Sequence, residues 1–225
     1  MCEACNGDGF IINANGEACS CRCVAAFEAA QRRIRARIPK RYASASLDAL
    51  AAVDSRQEKV IEAARAYCRS FTRSTDRGFL LYGPAGTGKT LIVAAVANNL
   101  LDRGVEVRFW NFRDLMAEER AWYNAPLGER TCTSPIQDAR RCAVLVLDDI
   151  LCEAQGNDFT RTAFEVLINA RYEDMLPLLA TTNVAKRLNG QEYWPVAFGD
   201  RVSSRLHEMC EIASTIGITD QRLPR

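Results

Sequence analysis

The chain alternates short apolar runs with longer segments of helical periodicity. Residues 56–72 place apolar side chains three and four positions apart, as one buried face of a helix requires; these are Val60, Ile61, Ala64, Tyr67, Cys68 and Phe71. Five apolar runs follow, with helical patterns between them, at residues 78–82, 105–110, 143–149, 177–183 and 211–218. Apolar strands separated by helices are typical of a parallel sheet covered on both faces. The pattern therefore predicts an α/β fold around a five-stranded parallel sheet.

A glycine-rich segment, GPAGTGKT, follows the first apolar run directly. It matches G-x-x-x-x-G-K-[ST] between a strand and a helix, where backbone N–H groups can surround a phosphate. Within it, Lys89 is expected to reach the β- and γ-phosphates of ATP and the Thr90 hydroxyl to bind Mg²⁺. A glycine-rich turn that binds nothing is the alternative. The predicted nucleotide-binding residues are Gly83, Pro84, Ala85, Gly86, Thr87, Gly88, Lys89 and Thr90.

Polar residues stand at the ends of two further apolar runs. VLVLDDI carries Asp148, which is placed to hold Mg²⁺, and Asp149, which is placed to orient or deprotonate the attacking water. An acidic pair that caps the next helix is the other interpretation. The following run ends in ATTN, where Asn183 would sense the γ-phosphate and the lytic water. An ordinary asparagine in a turn after the strand stays open as well.

Five of the ten cysteines lie within the first 23 residues. Their spacing is Cys-x-x-Cys, a thirteen-residue loop and then Cys-x-Cys, which suits four thiolates around one tetrahedral ion. Nothing before Cys2 resembles a secretory signal, and in a reducing compartment clustered cysteines bind metal more often than they form disulfides. We therefore predict structural zinc, with an iron–sulfur site or accidental clustering as alternatives. The predicted ligands are Cys2, Cys5, Cys19 and Cys21, which leaves Cys23 as the spare.

Charge and length limit the partners and the domain organisation that we expect. With 29 Lys and Arg against 28 Asp and Glu in 225 residues, the net charge of +1 provides no general attraction to nucleic acid. Residues 32–41 are basic and are either a local DNA-binding patch or a solvated helix end, which Pro39 terminates. No apolar stretch approaches the ~20 residues of a membrane span, so we expect a cytoplasmic protein without membrane contact. We divide it into a zinc module (1–30), a basic linker (31–55) and an ATPase domain (56–225).

In this order the elements resemble the AAA+ ATPases, and in detail the DnaC/DnaI-type replicative helicase loaders and the related IstB-like transposition helper ATPases. The similarity extends over residues 39–222. The cysteine stretch is similar to the zinc-binding N-terminal segment of loaders of the DnaI kind. The segments that carry the resemblance are IPKRYASASLDAL, LLYGPAGTGKT, VEVRFWNFRDLMAEER, VLVLDDI, AFEVLINARYEDMLPLLATTN, FGDRVSSRL and TDQR.

The resemblance implies an ATPase that delivers a hexameric DnaB-type helicase to single-stranded DNA. It implies that Arg201 or Arg205 acts as an arginine finger toward the ATP of a neighbouring subunit, with a helix-surface pair as the alternative. It also implies that Arg222 contacts the γ-phosphate, with little or no C-terminal lid after it. The aspartate at position 149, where most AAA+ proteins have glutamate, predicts slow hydrolysis. A transposition helper and a weakly hydrolysing, nucleotide-switched adaptor remain alternative functions.

The resemblance further implies a DNA contact on the helix that follows the paired carboxylates. Arg161 and Arg171 are expected to pair with phosphates, and Tyr172 to stack on a base. For Arg171, a role as an internal ion-pair partner is the alternative.

Overall fold

The computed structural model describes residues 2–72, 74, 77–150 and 158–221. A single turn of 3-10 helix, Lys40–Tyr42, precedes the main domain. In chain order the helices and strands are β1 (Phe10–Ile12), β2 (Ala18–Ser20), α1 (Arg22–Ala36), α2 (Ser55–Ser70), β3 (Gly78–Tyr82), α3 (Lys89–Asp102), β4 (Val107–Asn111), α4 (Phe112–Asn124), α5 (Pro135–Arg141), β5 (Val144–Ile150), α6 (Asp158–Glu173), β6 (Leu178–Thr182), β7 (Arg187–Leu188), β8 (Gln191–Glu192), α7 (Trp194–Phe198), α8 (Asp200–Met209) and β9 (Cys210–Ser214).

The five predicted apolar runs each form one strand of a single parallel sheet, in the order β4-β5-β6-β3-β9. The strand that precedes the glycine-rich loop, β3, is paired on both sides, with Leu80 opposite Ala180 of β6 and Ile212 of β9. Its residues Phe79, Leu80 and Leu81 have no exposed surface. Because β3 is buried on both faces, every residue before the loop is apolar rather than alternating. The predicted α/β fold with a five-stranded parallel sheet is confirmed.

Helix α2 packs on one face of this sheet, as its periodicity predicts. The Asp54 side chain begins the helix by accepting hydrogen bonds from the backbone N–H groups of Arg56 and Gln57. All the apolar residues predicted to share one face are buried: Val60, Ile61, Ala64, Tyr67, Cys68 and Phe71. They form one hydrophobic cluster with α3 and with the facing residues of the sheet.

Helix α1 begins inside the predicted zinc module and ends inside the predicted basic linker, so the boundary predicted at residue 30 falls within a continuous helix. It lies beside the edge strand β4 and beside α3. Arg33 pairs with Asp102 at the end of α3, and Arg37 pairs with Glu118 of α4. Part of the basic run is therefore packed against the ATPase domain, where acidic side chains compensate its charge.

Among the helices of the described residues, none combines the length and the apolar character needed to cross a bilayer.

Candidate functional site

The glycine-rich loop connects the end of β3 to the start of α3 and requires backbone conformations that favour glycine. Gly86 has φ +78°, and a Cβ added there would lie 1.8 Å from Oδ1 of Asp220. Gly88 has φ +88° at the N-terminus of α3. Residues 220–221 pack against the loop, and the Gln221 N–H donates a hydrogen bond to the Gly86 carbonyl at 3.0 Å. Other side chains at these positions would strain the loop or displace that segment.

Lys89 is the first residue of α3, and its side chain folds back over the loop. It is 7% exposed. Its Nζ donates to the carbonyl oxygens of Gly83 at 2.9 Å and Pro84 at 2.6 Å, and to Oδ1 of Asn183 at 2.9 Å. These contacts hold the Lys89 ammonium group at the loop, where the sequence predicts that it binds the phosphates of a nucleotide.

Asp148 lies at the carboxyl end of β5, only 8% exposed. Its Oδ1 accepts hydrogen bonds from the hydroxyls of Thr90 at 2.9 Å and Thr181 at 2.6 Å. Burial raises the pKa of the Asp148 carboxyl above its ordinary value, and the two hydroxyl bonds act in the opposite direction. A carboxylate beside a threonine hydroxyl is an all-oxygen donor set, which Mg²⁺ prefers. The residues predicted to bind Mg²⁺ therefore fit that ion.

Asp149 leaves the strand ladder at an irregularity in the β5–β6 pairing. Its backbone is left-handed, with φ +57°, and its N–H donates to Oγ1 of Thr181 at 2.9 Å. The Asp149 carboxylate accepts from Nδ2 of Asn183 at 2.8 Å. The irregularity turns Asp149 out of the sheet and toward the loop, as β-bulges commonly do beside active sites. Asn183 contacts both Lys89 and Asp149, which places it between the phosphate-binding and water-activating positions.

A cavity of about 460 Å³ lies above these residues, within the range of small-molecule sites. It brings together Lys89, Thr90, Asp148, Asp149 and Asn183, all of them predicted from the sequence. Its lining also includes residues that the sequence analysis missed: Arg41, Tyr42, Leu91, Asn111, Thr181 and Gln221. Of these, only Asn111, directly after an apolar run, and Thr181, within ATTN, carried a signal in the sequence.

Of the three arginines predicted to contact a γ-phosphate, the two on α8 lie away from the cavity of their own chain. Arg201 and Arg205 are on α8 and do not line the cavity. Arg201 is 68% exposed and 3.6 Å from Glu165. Arg205 is 19% exposed and is held within the chain by Asn169, by Glu173 and by the Tyr172 ring, whose centroid is 4.8 Å from its guanidinium carbon. Arg222 lies outside the described residues, so its predicted role stays a prediction.

The structure corrects the DNA contact predicted for Arg171. This side chain has no exposed surface and donates to the backbone carbonyls of Ala139 at 2.9 Å, Cys142 at 3.0 Å and Pro177 at 2.6 Å. A buried guanidinium that donates to these carbonyls supports the end of α5 and the segments that lead into β5 and β6, and it cannot reach a phosphate. Arg161 is exposed and is 3.2 Å from Asp158. The accessible basic residue of the predicted pair is therefore Arg161.

The N-terminal cysteines converge as predicted, with one exchange of ligand. The Sγ atoms of Cys2, Cys5, Cys21 and Cys23 lie within 4.8 Å of one another. Cys2 and Cys21 are 3.8 Å apart, and Cys5 and Cys23 are 3.4 Å apart. Four sulfurs at about 2.3 Å from a tetrahedral zinc would be about 3.8 Å apart, so the cluster fits that ion.

Cys19 was predicted as a ligand in place of Cys23, and the structure contradicts this. Cys19 lies in β2, paired with Ile11 of β1, and its Sγ accepts from Nδ2 of Asn13 at 3.4 Å. Cys21 ends the hairpin and stands at the N-terminus of α1, whose first turn contains Cys23. Two strand residues advance by about 6.6 Å, whereas a helical turn folds the chain back. The start of α1 therefore brings Cys23 to the cluster and leaves Cys19 outside it.

Comparison with known proteins identifies relatives of this architecture. The family model described as IstB-like ATP binding protein matches residues 26–217. The crystal structure of the DnaC helicase loader superimposes with a TM-score of 0.68 at 24% identity, covering 78% of this chain and 99% of that one. For the crystal structure of DnaI the TM-score is 0.63 at 21% identity, with coverage of 85% and 100%. A replication initiator DnaA bound to AMPPCP and single-stranded DNA gives 0.56 at 20% identity, with coverage of 79% and 50%.

One curated sequence relative also matches. An AAA-ATPase of Arabidopsis thaliana is 42% identical over 91 residues, which are 40% of this chain and 16% of the relative. The match thus spans less than a fifth of that protein's length. At identities below 25%, the structural relatives establish the shared fold.

Proposed function

The chain belongs to the IstB-like ATP-binding protein family and is an ATPase, and from this premise we propose that it delivers a DnaB-type hexameric helicase to single-stranded DNA during replication. The observation that carries the proposal is the four-cysteine cluster in one chain with the cavity that Lys89, Asp148 and Asp149 line. The similarity to the crystal structure of the DnaC helicase loader, of whose chain 99% is covered, supports it.

The ATP site can support hydrolysis with residues already in place. Lys89 would bind the β- and γ-phosphates, and Asp148 with Thr90 would hold Mg²⁺, which when bound neutralises charge on the phosphates. Asp149 would accept a proton from the attacking water, because its carboxylate projects from the β5–β6 irregularity toward the cavity. Asn183, hydrogen-bonded to Asp149, would hold that carboxylate in orientation.

The proposed site for single-stranded DNA lies between α4 and α6. A cavity of about 770 Å³ there is lined by Trp122, Tyr123 and Phe159, together with Arg120. Tyr123 is 56% exposed, and its ring centroid is 6.2 Å from that of Phe159. The Arg120 guanidinium carbon is 5.4 Å from the Phe159 ring centroid. Aromatic faces beside a cation suit sequence-tolerant stacking of bases with salt-dependent phosphate pairing.

Binding of fluorescent oligo(dT) tests this platform. Tyr123→Ala should weaken binding, since loss of one stacking residue costs about 1–3 kcal/mol. Arg120→Ala should weaken it and reduce its dependence on salt. Leu127→Ala provides a control, because Leu127 is 84% exposed and lies outside this cavity. If Tyr123→Ala, Leu127→Ala and the parent protein bind oligo(dT) with equal affinity, the DNA site does not lie in this cavity.

The cysteine module is the proposed docking surface for the helicase. Zinc would supply the folding free energy that a segment this short cannot obtain from its core. Four large apolar side chains of this module stay exposed: Phe10 at 64%, Ile11 at 38%, Ile12 at 69% and Phe27 at 64%. The sequence left open whether they pack over the metal site or face a partner. Their exposure supports the second option, because adjacent exposed apolar side chains mark interaction sites.

The test is capture of a purified hexameric replicative helicase by the full chain, with and without ATP. We expect capture by the parent protein and by Lys89→Ala in the absence of ATP, and loss of capture by Phe10→Ser/Ile12→Ser. Parent protein that retains ATPase activity but captures no helicase would refute the loader proposal. The second candidate function is that of a transposition helper, and the match to the IstB-like family is the observation in its favour. If the parent protein captures no helicase but stimulates a partner transposase, that result would support the transposition helper.

A further inference from the structure

Helix α1 connects the cysteine cluster to the edge of the ATP cavity. It begins at Arg22, between two of the clustered cysteines, and ends at Ala36. Fifteen helical residues span about 22 Å. A few residues farther on, Arg41 and Tyr42 line the ATP cavity. The two sites are therefore joined by one rigid helix and a short segment whose position depends on how the end of the helix is held.

Arg37 holds that end of the helix. It adopts a left-handed conformation, with φ +58°, and its side chain turns back toward the sheet. Its guanidinium carbon is 3.7 Å from the centre of the Trp110 ring. Its two terminal nitrogens donate to the two carboxylate oxygens of Glu118 at 2.7 and 3.2 Å. A planar group that stacks flat on an indole and forks onto a carboxylate at once requires arginine, because the point charge of lysine can approach either group but can neither stack flat nor fork.

One of the two residues that Arg37 contacts lies on β4, the strand whose last residue lines the ATP cavity. Trp110, 3% exposed, precedes Asn111, which lines the cavity and is the register partner of Asp148. The segment after Arg37 is also fixed at its far end, because Nδ2 of Asn98 donates to the Tyr42 carbonyl at 3.0 Å. The chain from Arg37 to Tyr42 is thus anchored at both ends, and Tyr42 lines the cavity.

We propose that Arg37 is a positioning residue: its contacts with Trp110 and Glu118 hold Arg41 and Tyr42 at the ATP cavity and transmit the position of α1 to that cavity. The inference deepens the proposed function and rests on it for the identity of the nucleotide. The Arg37 and Glu118 side chains are 44% and 46% exposed, so their ion pair adds little to stability. The role of this ion pair is therefore to position the end of α1 rather than to stabilise the fold. By reciprocity, a partner that moves α1 alters ATP affinity, and ATP alters the affinity for that partner to the same extent.

Steady-state ATPase measurements on the full chain test the proposal. Arg37→Ala should raise the KM for ATP by about fivefold or more, a size typical of coupling between sites, with kcat within about twofold of the parent. Arg37→Lys should recover only part of the affinity. Arg33→Ala is the matched control, since Arg33 on the same helix forms a comparably exposed ion pair, 46% exposed, with Asp102 at the end of α3. It should retain the parental KM.

A second background separates positioning from general loss of structure. In Arg41→Ala/Tyr42→Ala protein, adding Arg37→Ala should raise KM no further, because the groups through which Arg37 acts are gone. An unchanged KM in Arg37→Ala alone, or additive effects in the triple variant, would overturn the proposal. These assays contain no helicase, so a failure of the loader proposal leaves them interpretable. Absence of ATPase activity in the parent protein would contradict the proposed function and this inference together.

Discussion

Thr181→Val is the substitution with the sharpest consequence for the ATP site. Thr181 is 1% exposed, and its hydroxyl donates to Oδ1 of Asp148 at 2.6 Å while accepting the Asp149 N–H at 2.9 Å. One hydroxyl thus links the carboxylate of Asp148, predicted to bind metal, to the backbone of Asp149, predicted to activate water. Valine preserves the shape and the strand preference of threonine but removes both hydrogen bonds.

The magnitude follows from those two bonds. A hydrogen bond to a charged group contributes about 1.5–3 kcal/mol, and one between neutral groups about 0.5–1.5 kcal/mol. Thr181→Val should therefore lower the free energy of unfolding by about 2–4 kcal/mol. For a chain of this length that is a fall in Tm of roughly 5–15 °C in a thermal melt without nucleotide. Without the hydrogen bond to Thr181, the backbone of Asp149 should also leave its left-handed conformation. Its carboxylate would then be misplaced, and kcat should fall by about tenfold or more.

Thr182→Val separates these two effects. Thr182 is equally buried, and its hydroxyl also makes two hydrogen bonds, donating to the Ile150 carbonyl and accepting the Val184 N–H. Neither bond involves a carboxylate of the site. Both bonds join neutral groups, so we expect a smaller fall in Tm than for Thr181→Val, with kcat close to that of the parent at temperatures where the protein stays folded. Equal kcat values for Thr181→Val and Thr182→Val would refute the reasoning.

Three further predictions concern the carboxylate, the cysteines and the arginines of α8. Asp149→Asn should bind fluorescent ATP normally and lower the rate of hydrolysis by about 10²-fold or more, and parental turnover would exclude Asp149 as the base. Elemental analysis should find about one zinc per chain in the parent and in Cys19→Ser, and none in Cys23→Ser; the reverse pattern would contradict the cluster. Arg201→Ala/Arg205→Ala protein mixed with Lys89→Ala protein should recover ATPase activity, because one contributes intact ATP sites and the other intact fingers. If no mixing ratio restores activity, the arginines do not act between subunits.

Local sequence patterns determined the framework of this protein. The strands could be predicted because a parallel strand covered on both faces must be apolar along its whole length, as Phe79, Leu80 and Leu81 are. The phosphate-binding loop could be predicted because its function requires glycine conformations and a lysine at a fixed spacing after a strand. Lys89 and Asp148, 59 residues apart in the sequence, could be assigned to one site because parallel strands place their carboxyl ends at the same edge.

Only the tertiary structure decided which polar side chains face solvent and which support the fold. Arg171 and Arg161 occupy the same predicted helix, but the turn of α6 buries one against backbone carbonyls and exposes the other. Cys19 and Cys23 are both two residues from Cys21, and the change from strand to helix at Cys21 selects Cys23 for the cluster. Arg41 and Tyr42 reach the ATP cavity because α1 packs along the edge strand, a contact between distant segments that no local pattern encodes. Short motifs determine which residues can carry out the chemistry of the ATP site. The further side chains that line the site, such as Arg41 and Tyr42, depend on packing between elements far apart in the chain.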